Sequence, residues 1–172
     1  IYLCDDGDRP EMRELAESMD RVNYIGYGDN KHAKAGNINH ALSVSKSPLV
    51  AIFDADMIPR HNFLTETVPY FFIEKMIKDE MGWRLRREDE PYSGKPLAFV
   101  QTRQSFYNPD PIQKNLFAEK HTPNEQDYFF RSVNVARTDI GAAMFAGTNA
   151  LFSRKAFEDV GGMETYSVTE DL

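Results

Sequence analysis

The sequence predicts an α/β fold in which helices flank a mainly parallel sheet. Short apolar runs alternate along the chain with segments whose apolar residues recur at helical spacing, a pattern typical of parallel sheets. The chain has 172 residues, of which 41% are hydrophobic, and this is enough for one domain with a buried core. Acidic residues and glycines follow the apolar runs, where turns are expected.

The first third of the chain carries the clearest pattern. Residues 1–4 form an apolar run that predicts a buried strand. A helix is expected from Pro10, since proline suits the first helical turn and apolar residues follow at i, i+3, i+4 and i+7: Met12, Leu15, Ala16 and Met19. A short strand over 22–27, a helix over 35–44 and a strand over 49–53 continue the alternation.

Residues 74–95 differ in composition from the rest of the chain. Twelve of these 22 residues are charged, six of each sign. This predicts a solvent-exposed insertion or an extended helix followed by a loop. The preceding stretch has one more helical stripe, formed by Leu64, Val68, Phe71 and Phe72.

The last part of the chain alternates again. We expect a strand over 97–101, an ordered aromatic loop over 102–111, and helices over 111–120 and 124–138. Two apolar pieces, 142–146 and 149–152, are separated by Gly147. Ser153 suits the N-cap of a final short helix. Both ends look interrupted, so we interpret residues 1–172 as the central part of one longer domain, with 74–95 as an insertion.

Charge and cysteine content exclude several classes of protein. The net charge is -7, from 20 basic and 27 acidic residues, so a non-specific nucleic-acid binder is excluded. An anionic ligand would need a local arrangement such as a metal ion. The single cysteine, Cys4, excludes an internal disulfide and fits a reducing compartment. No apolar run approaches the roughly 20 residues that span a bilayer.

Three acidic clusters follow strands or loops: Asp5-Asp6, Asp54-Ala55-Asp56 and Glu170-Asp171. Ligands of open α/β sheets bind outside the carboxyl ends of the strands, where such carboxylates can converge. Hard oxygen ligands suit Mg²⁺ or Mn²⁺, with substrate phosphates completing the coordination. This combination indicates a nucleotide with a diphosphate. The alternative is that each cluster is a solvated turn.

Three further features allow two interpretations each. Lys34 lies where a helix begins and is a candidate phosphate contact, or else a solvent-facing lysine. The aromatic rings of 106–111 could stack on sugar faces, or the segment is simply a turn. Gly147 allows the backbone to approach a ligand closely, or it marks a bulge between two strand pieces.

Other catalytic motifs are absent from the sequence. Gly26-x-Gly28 is followed by Lys31 where a dinucleotide fingerprint needs Gly or Ala, and there is no Gly-Lys-Ser/Thr phosphate loop. The sequence also lacks His-Glu-x-x-His, Gly-x-Ser-x-Gly and any zinc-binding spacing. An EF-hand is excluded because Ile58 and Pro59 occupy two of its required positions.

Taken in order, several stretches resemble the processive family 2 glycosyltransferases, and within them the bacterial cellulose synthase catalytic subunits. The most specific are Lys34-Ala35-Gly36-Asn37 and Asn108-Pro109-Asp110-Pro111. They lie between the three acidic clusters and are accompanied by Gln101-Thr102, Asn124-Glu125 and Phe145-Ala146-Gly147. The resemblance covers the chain from its first residues to its last.

The resemblance implies a GT-A fold, a nucleotide-binding, Rossmann-like sheet that holds UDP and a divalent cation, Mg²⁺ or Mn²⁺. It implies that Asp5 and Asp6 meet the uridine, and that Lys34 meets the diphosphate. Asp54 would lie on the ribose or phosphate side and, with Asp56, would hold the metal. Asp171 would be the general base. The residues implied near the donor or acceptor sugar are Phe145, Gly147, Thr148 and Glu170.

The implied reaction transfers glucose from UDP-glucose to the end of a β-1,4-glucan, with inversion at the anomeric carbon. The resemblance places the domain at the cytoplasmic face of the plasma (inner) membrane, carried by transmembrane helices outside this sequence, with accessory subunits. The family's Gln-x-x-Arg-Trp motif is not present, so we expect no polymer synthesis by these residues alone. Met57 and Thr148 depart from the familiar pattern. Synthesis of another β-glycan (β-1,3-glucan, chitin or hyaluronan type) and UDP binding without turnover remain open.

Overall fold

A computed structural model describes residues 1–28, 31–91, 94–118 and 121–166. Its first elements are a strand β1 (Tyr2–Asp5), a helix α1 (Pro10–Glu17), a strand β2 (Asn23–Gly26), a helix α2 (Ala33–Val44) and a strand β3 (Leu49–Ile52). The predicted order of strands and helices is confirmed here. β1 and β2 pair in parallel, with Tyr2 opposite Asn23 and Asp5 opposite Gly26.

The parallel pair forms because α1 returns the chain to the starting edge of β1. Pro10 occupies the first turn of α1, as predicted, and Ala16 is fully buried. Leu15 and Met19 are about half exposed, at 45% and 50%. Fewer of the predicted apolar residues are therefore buried than the sequence pattern indicates.

The middle of the chain contains a helix α3 (Phe63–Thr67), a 3₁₀ segment (Val68–Lys75), a strand β4 (Met76–Asp79), a strand β5 (Gly82–Leu85) and a strand β6 (Phe99–Gln101). β4 and β5 form an antiparallel hairpin. The expected extended helix within 74–95 is therefore wrong. Arg84 fixes the hairpin, because its guanidinium binds Asp79 and both carboxylate oxygens of Glu90.

The last elements are short helices α4 (Pro111–Asn115) and α5 (Glu125–Tyr128), a π-helical segment (Phe129–Val133), a helix α6 (Asn134–Asp139), a strand β7 (Ala150–Ser153) and a helix α7 (Arg154–Val160). β7 lies between β3 and β6 in a three-stranded sheet. Residues 142–146, one of the two apolar pieces beside Gly147, form no strand. The mixed α/β architecture with a parallel pair and flanking helices confirms the predicted fold class.

The chain divides into two compact units, one of residues 1–50 with the described residues from 152 onward, and one of residues 51–151. In the first unit, Arg154 joins α7 to the end of α2. Its guanidinium donates to the Leu42 and Ser47 carbonyls and to the Ser45 hydroxyl. Because the last carbonyls of a helix lack partners within it, this arginine stabilises the end of α2.

Among the described residues, no helix combines the length and apolar character needed to cross a membrane. Cys4 is a free thiol, half-buried in β1.

Candidate functional site

The end of β1 is organised around the carboxylate of Asp5, which is only 2% exposed. It accepts hydrogen bonds from the backbone N–H groups of Gly7 and Arg9, at 3.4 and 2.6 Å. The Arg9 guanidinium donates two more, at 2.9 and 2.5 Å, and the Tyr24 hydroxyl donates a fifth at 2.9 Å. Asp5 therefore holds together the turn after β1, the start of α1 and strand β2.

The same contacts determine how Asp5 and Tyr24 titrate. Hydrogen bonds from the Arg9 side chain, which outweigh the effect of burial, hold the pKa of Asp5 far below its ordinary value. Burial and the bond to this carboxylate raise the pKa of Tyr24 to about 12. Five donors already occupy the Asp5 oxygens, so the geometry disfavours the predicted contact with uridine through this side chain. That contact stays a prediction.

Asp6, the second predicted nucleotide ligand, has a more open position. It is half-buried, and its Oδ1 accepts a hydrogen bond of 2.5 Å from Nδ2 of Asn37 on α2. Asn37 is itself 9% exposed, and its own Oδ1 has no hydrogen-bond partner among the described residues. Burial, and secondarily the charge of Asp6, raise the pKa of the Cys4 thiol. Asp6 and Asn37 thus form a polar pair between β1 and α2.

Lys34 lies in the first turn of α2, as predicted, and is half-buried. The turn that leads into the helix is unusual, because His32 and Ala33 have left-handed φ values of 67° and 45°. Gly36 makes this turn feasible, since a Cβ at that position would lie 2.1 Å from the Lys31 carbonyl oxygen. The helix start is therefore built around a tight backbone contact that only glycine permits.

The end of β3 presents the second acidic cluster in a turn, in which the Met57 N–H donates to the Asp54 carbonyl at 3.0 Å. Asp54 is half-buried, whereas Asp56 is exposed. The backbone N–H of Asp54 donates to the hydroxyl of Thr148 at 2.9 Å. The turn is thus held through its backbone, and the Asp56 carboxylate faces solvent.

The predicted sugar-contacting segment, 145–148, precedes β7. Gly147 is buried with a left-handed φ of 78°, and Thr148 is 4% exposed. Because 142–146 form no strand, the interpretation of Gly147 as a bulge between two strands is wrong. The Thr148 hydroxyl receives the Asp54 N–H, so it is engaged within the protein. Its contact with a sugar stays a prediction, as do those of Phe145 and Gly147.

The predicted site residues fall into three groups. Asp5, Asp6 and Lys34 belong to the first unit, and Asp54, Asp56, Phe145, Gly147 and Thr148 belong to the second. Glu170 and Asp171 lie outside the described residues. Convergence of the groups on one ligand stays a prediction. In the described part of the chain, no three His, Cys, Asp or Glu side chains come together as a metal site.

Sequence reasoning missed the partners of the acidic residues at β1. Arg9, Tyr24 and Asn37 organise this strand end, yet none was a candidate. Asn37 is part of the Lys-Ala-Gly-Asn motif and could have been proposed on that ground. Tyr24 has no signal in sequence, because its contact depends on the parallel pairing of β1 and β2.

The aromatic loop 102–111 borders a polar cavity of about 280 Å³ in the second unit. Ser105 and Phe106 line it together with Gln113, Asn124 and Asp127. Asp110 caps α4 by accepting from the Gln113 N–H, while the Gln113 side chain accepts from the Asp110 N–H. This capping box gives Asp110 of the Asn-Pro-Asp-Pro segment a structural role at the start of α4, and stacking of the aromatic rings on a sugar stays a prediction.

Comparison with known proteins adds a family match across most of the chain. The profile described as "Glycosyl transferase family 2" matches residues 1–161. The chain is 37% identical over 171 residues, 99% of its length, to a cellulose synthase catalytic subunit [UDP-forming] of Xanthomonas axonopodis pv. citri, and the match covers 21% of that protein. The corresponding cellulose synthase 1 subunit of Komagataeibacter xylinus is 36% identical, with 20% covered.

A putative cellulose synthase 2 of Komagataeibacter xylinus is likewise 36% identical over 99% of the chain, which covers 10% of that longer protein. The chain therefore spans between a tenth and about a fifth of the length of the curated relatives it matches.

Proposed function

The chain belongs to glycosyl transferase family 2, and from this premise we propose that it is the donor-binding part of an inverting, metal-dependent UDP-sugar glycosyltransferase. The donor is UDP-glucose, and the acceptor is the end of a growing β-1,4-glucan. The observation that carries the proposal is the pair of acidic strand ends, at β1 and β3, in a chain that is similar over 99% of its length to UDP-forming cellulose synthases.

On the nucleotide side, Asp6 and Lys34 are the ligands we favour. Asp6 is the less occupied of the two carboxylates at β1, and its orientation is fixed by Asn37. Lys34 lies in the first turn of α2, where the helix dipole favours anions. A diphosphate bound there would be met by a cation and by the helix dipole together.

Asp54 and Asp56 would hold Mg²⁺ or Mn²⁺. The donor set fits such an ion, because these cations accept one or two carboxylates and take their remaining ligands from water and phosphate. When bound, the ion supplies positive charge beside the leaving diphosphate, where negative charge develops. The exposed Asp56 carboxylate can reach a ligand without repacking of the strand.

The chemical step needs a base on the face of the sugar opposite the diphosphate, and we assign this role to Asp171. It takes the proton of the acceptor hydroxyl as that oxygen forms a bond to C1. The bond from C1 to the diphosphate oxygen breaks, and UDP leaves with the electron pair. A positioned carboxylate contributes about 10² to 10⁴ in rate to such a step. Phe145, Gly147, Thr148 and Glu170 would lie beside the donor and acceptor sugars.

The setting of the reaction is also part of the proposal. We place the domain at the cytoplasmic face of the plasma (inner) membrane, carried by transmembrane helices outside these residues. Accessory subunits of a synthase complex are further expected partners. Residues 1–172 would then bind the donor but form no polymer by themselves.

Substitution of the base tests the chemical assignment. Asp171→Asn in the complete protein should leave UDP affinity within about twofold and lower transfer by about 10² to 10⁴. Transfer is measured by incorporation of labelled glucose, and UDP binding by calorimetry. Glu158→Gln, a change at an exposed position on α7, is the matched control. Undiminished turnover in Asp171→Asn would place the base elsewhere.

The preference of the protein between two sugar donors tests the proposed substrate. Wild-type protein should turn over UDP-glucose in preference to UDP-N-acetylglucosamine, and the product should be a β-1,4-glucan by linkage analysis. Preference for the N-acetylated donor would reject the cellulose assignment in favour of a chitin or hyaluronan type. UDP binding with no turnover of either donor would favour a binding domain.

A further inference from the structure

Residues 142–149, which have no regular secondary structure, are held by side-chain amides from other elements. Gln101, the last residue of β6, accepts a hydrogen bond from the Ala146 N–H at 3.0 Å. Its amide nitrogen donates to the Thr148 carbonyl at 2.9 Å. One side chain thus holds both ends of the Ala146–Thr148 backbone. It supplies the partners that an irregular buried segment would otherwise lack.

A second amide holds the beginning of the same segment. Asn134 on α6, which is 6% exposed, accepts from the Met144 N–H at 2.9 Å and donates to the Met144 carbonyl at 3.1 Å. Between Asn134 and Gln101, the backbone around Phe145 is fixed on either side. A buried or half-buried amide costs free energy unless it is paired, so the segment, the buried Asn134 and the half-buried Gln101 stabilise one another.

The clamped segment is also tied to the acidic turn after β3. The Thr148 hydroxyl accepts the Asp54 N–H at 2.9 Å, and the Asn149 side-chain amide reaches Sδ of Met57 at 3.7 Å. The carbonyl of Thr148 is the one that Gln101 holds. A continuous set of hydrogen bonds therefore runs from the Gln101 side chain to the backbone of Asp54, entirely within residues 51–151.

We infer that Gln101 is a positioning residue that couples the sugar-side segment 145–148 to the cation-side turn at Asp54 through the hydroxyl of Thr148. The inference rests on the proposed function, in which these two segments contact the sugar and the cation beside its leaving group. If they are one unit, the position of the donor sugar relative to the cation that stabilises its leaving group is set before the donor binds. A misplacement of the substrate by about 1 Å can lower the rate about a hundredfold, so the hydrogen bonds of Gln101 would affect catalysis.

The first test measures the coupling itself, by hydrogen–deuterium exchange of the complete protein. Gln101→Met keeps the side-chain length and removes both amide functions. It should speed exchange by about fivefold or more in peptides covering 142–149 and also in those covering 53–57. Gln126→Met, on the exposed side of α5, is the matched control and should change neither peptide.

A second variant tests the hydrogen bond between Thr148 and Asp54 separately from the hydrogen bonds of the Gln101 side chain. Thr148→Val keeps the shape of the side chain and should speed exchange at 53–57 by about fivefold, with a smaller change at 142–149. Thr148→Ser retains the hydroxyl and should keep protection at 53–57. Because this variant pair changes few atoms, it decides the coupling even if Gln101→Met does not fold.

The kinetic test distinguishes positioning from mere structural support. Gln101→Met should lower kcat for glucose transfer by about tenfold or more, while KM for the UDP-sugar rises by less than about threefold. KM should change little because the proposed nucleotide contacts of Asp6 and Lys34 do not involve the hydrogen bonds of Gln101. Wild-type kcat in Gln101→Met, or wild-type exchange at 53–57 in Thr148→Val, would overturn the inference. A wild-type protein that binds no UDP would instead reject the proposed function, while the exchange results would still decide the coupling.

Discussion

The two acidic strand ends have similar sequences but use their carboxylates differently. At β1, Asp5 is 2% exposed and accepts five hydrogen bonds from Gly7, Arg9 and Tyr24. At β3, Asp56 is exposed, and the backbone N–H of Asp54 donates to the hydroxyl of Thr148. The first carboxylate is used to build the fold, and the second faces outward.

This difference shows that a pair of adjacent acids after a strand need not be a pair of ligands. A buried carboxylate has to be paired, so Asp5 takes the donors that the turn, α1 and β2 provide. Its neighbour Asp6 points to Asn37 and keeps part of its surface exposed. Asp5 therefore has a role in the fold, and the contacts of Asp5 and Asp6 with a nucleotide stay predictions.

The largest effect should come from Asp5→Asn. The substitution removes the charge that pairs with Arg9 and places an N–H₂ group among donors, so we expect a loss of about 2–4 kcal/mol in the free energy of unfolding. Chemical denaturation of the complete protein measures it. Asp56→Asn is the matched control and should change stability by less than about 0.5 kcal/mol. Equal stability of the two variants would contradict the comparison.

The pH dependence of stability should show the same carboxylate. Because the folded-state pKa of Asp5 is depressed, its stabilisation is fully present above its unfolded pKa of about 3.9 and is lost as the pH falls below it. The difference in stability between wild type and Asp5→Asn should therefore narrow progressively below about pH 4. Denaturation midpoints measured from pH 7 down to pH 3 check this. If the difference in stability stayed constant over this pH range, it would not arise from the charge of Asp5.

Asp6→Asn should have a smaller effect on stability and a clear one on binding. The new amide oxygen can still accept from Asn37, so we expect a loss below about 1 kcal/mol. UDP affinity, measured by calorimetry, should fall by about tenfold if Asp6 meets the nucleotide. If Asp5→Asn reduced UDP affinity at unchanged stability while Asp6→Asn did not, the two roles would be reversed.

Local patterns were sufficient to predict the elements of the first third of the chain. Pro10 and the apolar residues Met12, Leu15 and Ala16 indicate α1, which ends before Met19, and the apolar runs indicate β1 and β3. The hairpin of β4 and β5 was missed because its many charges hide an alternation of Trp83 and Leu85 with Arg84 and Arg86. That period of two is the signal that could have found it.

The rest depends on contacts between distant residues. Residues 142–146 are apolar enough for a strand, but Asn134 and Gln101 bind their backbone instead. The engagement of Asp5 likewise requires Tyr24, which parallel pairing brings next to it. Periodicity and motif spacing describe one element at a time, so they locate acidic strand ends without showing which carboxylate is already paired.

The most direct test of this account is the affinity of the complete protein for UDP with and without Mn²⁺, measured by calorimetry for wild type and Asp56→Asn. We predict that Mn²⁺ raises the affinity of wild type by about tenfold or more, and that Asp56→Asn loses most of this gain while keeping wild-type stability. Equal affinity of wild type with and without Mn²⁺, or an undiminished gain in Asp56→Asn, would contradict the assignment of the outward carboxylate at β3 to the cation.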